Sequence, residues 1–269
     1  MKNKNHFLSV IIPIYKQEKT IKKDLQIIND TLKQIRYDYE IIAVVDGTSV
    51  DKSFKEIKKL KLKNLQVFGY KTNHGKGYAI RYGMAKTKGD YVAFIDSGME
   101  IDPNGISLVL EHMEWYNADI IVASKRHPAS MVNYPWDRKI ISFGAHIISK
   151  YLLGINVHDT QAGLKIFKRP VLIKVLPRLV VKNYAFDLEI LAVANKLGFT
   201  KIFEAPIKLD YNFTSLTHAT GFKTIYNCLF EALAVFYRLK ILNYYDDKNK
   251  RKWIYDPELE MRINTGESL

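Results

Sequence analysis

The chain has 269 residues, 47% of them hydrophobic and 26% charged, which supports a sizeable core and excludes a disordered or fibrous protein. Its 41 Lys and Arg against 28 Asp and Glu leave a net charge of +13, which favours polyanionic partners: nucleic acid, anionic lipid headgroups or phosphorylated substrates. The single cysteine, Cys228, excludes an internal disulfide and gives no sign of an oxidising compartment.

The apolar run from Phe7 to Ile14 is too short and wrongly flanked for a signal peptide and reads as a buried first strand. No stretch reaches the roughly 18 uncharged apolar residues of a membrane-spanning helix, so the chain is expected on the cytoplasmic side, where it is made. Up to about residue 124, short β-branched runs alternate with amphipathic stretches. Strands are expected at Leu8 to Ile14, Glu40 to Val45, Leu65 to Tyr70, Tyr91 to Asp96 and Asp119 to Ser124. Helical spacing covers Lys19 to Arg36, Asp51 to Leu60, Lys76 to Lys86 and Pro103 to Asn117. The series implies an α/β fold: a mostly parallel twisted sheet with helices on both faces. Ligands of such sheets sit at the carboxyl ends of the strands. The polar punctuation falls there, at Tyr15 to Glu18, Asp46 to Asp51, Asn73 to Gly77 and Asp96 to Asp102.

After Ser124 the alternation breaks. Arg126 to Arg138, with two prolines and no apolar period, reads as a functional loop or lid. A helix near Lys139 to Leu153, a strand Gly163 to Phe167, a helix Phe186 to Leu197 and a strand Lys201 to Ile207 follow, then a long helix from Phe222 to Tyr244. Without linker composition or repeats, the chain reads as one domain over 1–220 with an appendage over 221–269, an amphipathic helix and a polar tail.

Two glycines and a lysine open a helix at Asn73-His-Gly-Lys-Gly-Tyr-Ala-Ile-Arg-Tyr-Gly83, with Arg81 one turn in. Free backbone N–H groups, a positive dipole end and cations suit a diphosphate, although the spacing is not that of a P-loop. The strand Gly89-Asp-Tyr-Val-Ala-Phe-Ile-Asp96 ends in a carboxylate well placed to hold Mg²⁺ or Mn²⁺ against such a group. Asp102, just before Pro103, has the simpler reading of a helix cap.

These runs, with Ser9-Val-Ile-Ile-Pro13-Ile-Tyr15, Glu40-Ile-Ile-Ala-Val-Val-Asp46-Gly47, Asp159-Thr-Gln-Ala-Gly-Leu-Lys-Ile-Phe167 and Ala185-Phe-Asp187-Leu-Glu189, resemble family 2 glycosyltransferases. Within them the chain is most similar to dolichyl-phosphate glucosyl- and mannosyltransferases and their prokaryotic polyprenyl-phosphate relatives. The resemblance implies a GT-A fold, a UDP- or GDP-sugar donor, a divalent cation and inverting transfer of a hexose to a polyprenyl phosphate. It implies that Pro13, Tyr15, Asp46, Lys76 and Asp96 bind the donor. Asp96 with Glu100 would hold metal, Asp159 and Asp187 would line the sugar and acceptor side, and Lys125, Arg126, Arg138 and Ser142 would bind the acceptor phosphate. A phosphate nucleophile is already anionic, so cations that place it, Arg138 above all, matter more than a strong base. The chain departs from the family at Tyr15-Lys16-Gln17, at Asp46-Gly47-Thr48, and at Asp96-Ser97-Gly98, where the second carboxylate of a D-x-D motif is missing.

In the final helix Asn227, Glu231, Ala234 and Arg238 form one stripe while Leu229, Phe230, Leu233, Phe236, Tyr237 and Ile241 cover the rest. That pattern fits a helix lying in an anionic membrane interface, peripheral at its inner face, and equally a helix packed on a core. Transfer to a non-lipid acceptor and a degenerate sugar-nucleotide-binding module are the competing readings. Nucleic-acid binding is not expected, for want of a motif interleaving basic and aromatic residues.

Overall fold

The structure, a computed structural model, describes residues 6–131, 153–183, 185–209, 222–247 and 251–268. Strands β1 (Phe7–Ile14), β2 (Asp38–Asp46), β3 (Leu65–Tyr70) and β4 (Tyr91–Ile95) alternate with helices α1 (Ile21–Leu32), α2 (Ser53–Lys58) and α3 (Lys76–Ala85). Helix α4 (Gly105–Trp115) leads to β5 (Ile120–Ser124). Then come β6 (Leu164–Lys168), α5 (Arg169–Val175), α6 (Phe186–Lys196), β7 (Ile202–Pro206) and α7 (Phe222–Phe236). These elements lie close to the expected ones, with most helices trimmed by a residue or more at their ends, as frayed helix boundaries commonly are. At the start of α2, Ser53 N–H bonds Asp51 Oδ1 at 2.9 Å, in a local turn that leads into the helix. Helix α5 was not anticipated, and the helix expected over 139–153 falls, but for its last residue, outside the described residues.

The described strands form a seven-stranded sheet in the order β3-β2-β1-β4-β6-β5-β7. Pairing is parallel except at β6, which runs against both β4 and β5. Its reversal has a functional consequence: Leu164, the first residue of β6, lies opposite Ile95, the last of β4. The segment before β6 therefore reaches the edge that the other strands reach with their carboxyl ends.

Both faces of the sheet are covered, which is why its strands read as continuous apolar runs. Along β1, Leu8, Val10, Ile12 and Ile14 pack with α1 and α4 on one side, while Ile11 packs with α3, α6 and α7 on the other. Burial of about 25 cal/mol per Å² of apolar surface in these two layers is the main term holding the domain together.

The expected polar tail is a hairpin, β8 (Arg251–Asp256) paired antiparallel with β9 (Met261–Ser268). Its turn reaches α3, where Tyr78 Oη donates to Glu258 at 2.5 Å and Lys86 pairs with Glu260. The chain before it is anchored too. Tyr244 and Tyr245 are buried, and Tyr245 Oη donates at 2.7 Å to the fully buried carboxylate of Glu189. That carboxylate also accepts N–H groups of Val180 and Val181 at 2.9 to 3.1 Å. Burial pushes the Glu189 carboxyl above its ordinary pKa, and these bonds hold it back only in part.

Because a buried charged acceptor is costly to leave short of a donor, Tyr245→Phe is expected to destabilise the protein by about 1–3 kcal/mol. The measurement is a lower urea midpoint at unchanged slope; an unmoved midpoint would mean that Glu189 does not depend on this bond.

Candidate active site

Asp46 ends β2 and is buried. Its carboxylate accepts from Asn73 Nδ2 at 2.8 Å, His74 N–H at 2.7 Å and Gly75 N–H at 2.9 Å, and so shapes the loop that launches α3. Gly75 has φ +99°, and a Cβ there would lie 2.3 Å from Asn183 Oδ1, so only glycine fits. These amides, and that of Tyr78, which bonds Lys182 O at 3.1 Å, are already engaged within the protein. Three of the amides expected in a free cradle at this helix start, those of His74, Gly75 and Tyr78, are thus taken up internally. Arg81 is a further correction: it is buried one turn along α3, with Nε donating to Leu176 O at 3.1 Å, and does not join the strand ends.

Lys76 does reach that edge. Its Nζ sits astride the Asp96 carboxylate, 2.8 Å from Oδ2 and 2.7 Å from Oδ1. Burial disfavours the ammonium, but Asp96, then Asp187 and Glu100, outweigh burial and hold its pKa above the ordinary lysine value. Asp96 is fixed from the other side by β6: its N–H bonds Gly163 O at 2.9 Å, and a Cβ on Gly163 would lie 2.3 Å from Asp96 Oδ2. The turn beyond is tied to β1 by Ser97 Oγ donating to Pro13 O at 2.8 Å, which gives Pro13 a structural use of its own carbonyl. Tyr15, past the end of β1, is exposed, with Lys16 Nζ 5.1 Å from its ring centroid. Asp102 accepts Asn104 N–H at 2.9 Å in the turn before α4, but the helix opens at Gly105 with Asn104 as its N-cap, so Asp102 does not cap it and Pro103 does not open it.

The reversed strand brings in the second acidic group. Asp159 is buried, accepts Lys125 N–H at 3.0 Å, and donates its own N–H to Glu204 Oε1 at 3.1 Å. Glu204, on β7, also receives His158 Nδ1 at 2.7 Å; burial raises its pKa, but His158 and its other donors prevail and hold it below the ordinary value. Lys125 and Arg126 follow β5 on the same edge, and Arg126 N–H bonds Ser124 Oγ at 3.2 Å. Arg138 and Ser142 lie outside the described residues.

Asp187, in the first turn of α6, has a partner that sequence reasoning missed. Lys165, fully buried in β6, donates to Asp187 Oδ1 at 2.5 Å and to Ala162 O at 2.8 Å, above the Phe94 ring. Burial drives its pKa below the ordinary value, and Asp187 restores it only in part. Asp187 is therefore engaged as the counter-ion of Lys165. The available signal was a lone charge at an inward position of an apolar strand, where an unpaired lysine is not tolerated.

The mostly parallel seven-stranded sheet with one reversed strand is the GT-A fold of glycosyltransferases, which its structural neighbours share. The mannosyl-3-phosphoglycerate synthase of Rubrobacter xylanophilus superposes with a TM-score of 0.66 at 17% identity, over 96% of this chain and 86% of that one. The glucosyl-3-phosphoglycerate synthase of Mycobacterium tuberculosis, in complex with Mn²⁺, UDP and phosphoglyceric acid, does so at 0.62 and 17%, over 96% and 86%. The family model for Glycosyl transferase family 2 matches residues 9–176, and the chain belongs to that family. The dolichyl-phosphate beta-glucosyltransferase of Dictyostelium discoideum is 29% identical over 209 residues, 72% of this chain and 64% of that protein. That of Homo sapiens is 27% identical over 219 residues, 76% and 67%. The chain thus spans just under two thirds of the Dictyostelium protein's length.

Removing one partner of a buried ion pair leaves an uncompensated charge, whereas removing both does not. Lys165→Met is expected to cost about 3–5 kcal/mol of stability, and Lys165→Met with Asp187→Leu to recover most of it. Chemical denaturation of the two variants checks this; a double variant no better than the single one would show that the pair is not the reason Lys165 is tolerated.

Proposed function

We propose that this chain moves a hexose from a UDP- or GDP-sugar to a polyprenyl phosphate, with inversion, at the cytoplasmic surface of a membrane. The observation that carries the reading is the convergence of Asp96, Lys76 and the Asp159 segment on one sheet edge through the reversed β6. Relatives named dolichyl-phosphate beta-glucosyltransferase support the lipid-phosphate acceptor, and a neighbour holding UDP-glucose with Mn²⁺ supports the donor.

In this reading Asp46, Pro13 and Tyr15 border the nucleotide and Lys76 meets its diphosphate. Lys125 and Arg126, with Arg138 and Ser142, receive the acceptor phosphate. A phosphate oxygen attacks the anomeric carbon as the carbon–oxygen bond to the diphosphate breaks, and the nucleoside diphosphate departs. No proton need be removed from the nucleophile, which agrees with Asp187 being neutralised by Lys165 and Asp159 being held by a backbone amide.

The residues at the end of β4 suit a divalent cation in part. Asp96 Oδ1 is buried and lies 2.7 Å from the Lys76 ammonium without a well-directed hydrogen bond, Glu100 is near enough to act on Lys76, and a Cβ on Gly98 would meet nothing within 4 Å. Among the described residues no three His, Cys, Asp or Glu side chains are grouped to hold a metal by themselves. Asp96 and Glu100 would share an ion with donor oxygens, as oxygen-liganded Mg²⁺ sites commonly do. Such an ion would neutralise charge developing on the departing diphosphate.

Transfer from donor to polyprenyl phosphate is therefore expected to require Mn²⁺ or Mg²⁺, to fall at least a hundredfold in Asp96→Ala, on the scale of losing a charge-stabilising group, and to need less metal in Gly98→Asp. Donor binding that is equally tight in chelator, with no turnover when polyprenyl phosphate is present, would overturn the enzyme reading in favour of a binding module.

Among the described residues no helix is long and apolar enough to cross a membrane. The segment over 221–269 supplies peripheral contact in this reading. On α7 and the π-helical turn Tyr237–Ile241, Phe230 is 65% exposed, Leu233 46%, Tyr237 51% and Ile241 59%, a row at helical spacing. Phe236, expected in the same role, packs against the core instead. Phe230→Ser with Tyr237→Ser is expected to abolish sedimentation with anionic liposomes while leaving the melting temperature within a few degrees; unchanged sedimentation would remove this face from the membrane.

A further inference from the structure

Lys76 and a divalent cation have claims on the same carboxylate. The ammonium lies within 2.8 Å of both Asp96 oxygens, yet its hydrogen bond is directed at Oδ2, and Oδ1 accepts none. Asp96 is held to Gly163 by its own N–H, and the missing Cβ of Gly163 is what lets the carboxylate lie against that backbone beside Lys76. Position 98, which adjoins this carboxylate in sequence, is an exposed glycine facing open space, and it offers no second acid to bind a cation beside the lysine. Asp187, the next negative charge acting on Lys76, already carries Lys165 as its own counter-ion. Two cations cannot share one carboxylate at these distances without strong repulsion in a partly desolvated cleft.

We infer that Lys76 is the resident counter-ion of Asp96, which a divalent cation must displace, so that the ion is admitted only when a nucleoside diphosphate arrives to receive the displaced ammonium. The inference rests on the proposed donor site. It assigns Lys76 a positioning role before any transfer: it keeps Asp96 neutralised while the donor is absent and re-partners to the diphosphate when the ion enters. Because coupling between two ligands is reciprocal, the nucleotide tightens the metal and the metal tightens the nucleotide.

The test is Mn²⁺ binding to the full chain, followed by the electron paramagnetic resonance signal of free Mn²⁺, with and without UDP and with no acceptor present. In Lys76→Gln, which keeps a hydrogen-bond donor and removes the charge, Mn²⁺ affinity without UDP is expected to rise about tenfold, within the usual range of such couplings. UDP affinity measured in chelator is expected to fall. Lys76→Arg, which can grip the carboxylate through two parallel bonds, is expected to weaken Mn²⁺ binding without UDP. It keeps the question open to test should the glutamine variant fold poorly. Equal Mn²⁺ affinity in wild type, Lys76→Gln and Lys76→Arg would overturn the inference and leave the proposed function standing. Failure of every variant to bind Mn²⁺, even with UDP, would remove the cation site and the inference together.

Discussion

The close approach of the Gly163 backbone to the Asp96 carboxylate is the constraint on which the rest of the site depends. It exists because β6 runs against β4, with Leu164 opposite Ile95, so the residues just before one strand meet those just after the other. A parallel β6 would have sent the Asp159 segment to the opposite end of the sheet. The reversal also sets Lys165 between the strand layer and α6, where Asp187 can reach it. One strand direction thus gathers the acids, and one missing side chain lets two of the segments touch.

Charge balance explains how so many ionisable groups share one edge. Four of the acids on it have near partners: Asp46 has backbone N–H groups, Asp96 has Lys76, Asp187 has Lys165, and Asp159 has the Lys125 amide. Such pairs offset their desolvation only when geometry is good, and their removal one member at a time is costly. What they contribute is placement. The edge is arranged by the protein's own pairs, with the Lys76 ammonium standing at the carboxylate that the proposed chemistry uses.

The C-terminal helix meets the rest of the protein with polar as well as apolar residues. Glu231 bonds Asn183 Nδ2 at 3.2 Å and Ala185 N–H at 3.0 Å, and Arg238 Nε donates to Tyr245 Oη at 3.1 Å, so part of the polar stripe faces protein. The aromatic and aliphatic row faces outward. The hairpin that follows closes over α3, and the segment is joined to the core by Tyr244 and Tyr245. Ala232, Val235 and Leu239 are buried in the core, so this helix packs by one apolar strip and leaves a second, with Phe230 and Tyr237, uncovered.

The sequence by itself determined the βα alternation, the two covered faces of the sheet, and the arrival of Asp46, Lys76 and Asp96 at strand ends. Apolar period and polar punctuation are local properties, and the rule that strand ends gather ligands needs only their order. Tertiary structure alone decided the direction of β6, since a short apolar run carries the same alternation either way. It also decided which lysine answers which acid: Lys165 and Asp187 stand 22 residues apart, and Lys76 and Asp96 stand 20 apart, separations at which nothing in the spacing selects a partner. Arg81 illustrates the same limit, because its place one turn into α3 fits a phosphate as well as it fits the buried carbonyl of Leu176. In α7 the periodicity marked a polar stripe without saying whether water or Asn183, Ala185 and Tyr245 would satisfy it. Only the packed chain supplies those partners, because they come from segments that meet nowhere but in the fold.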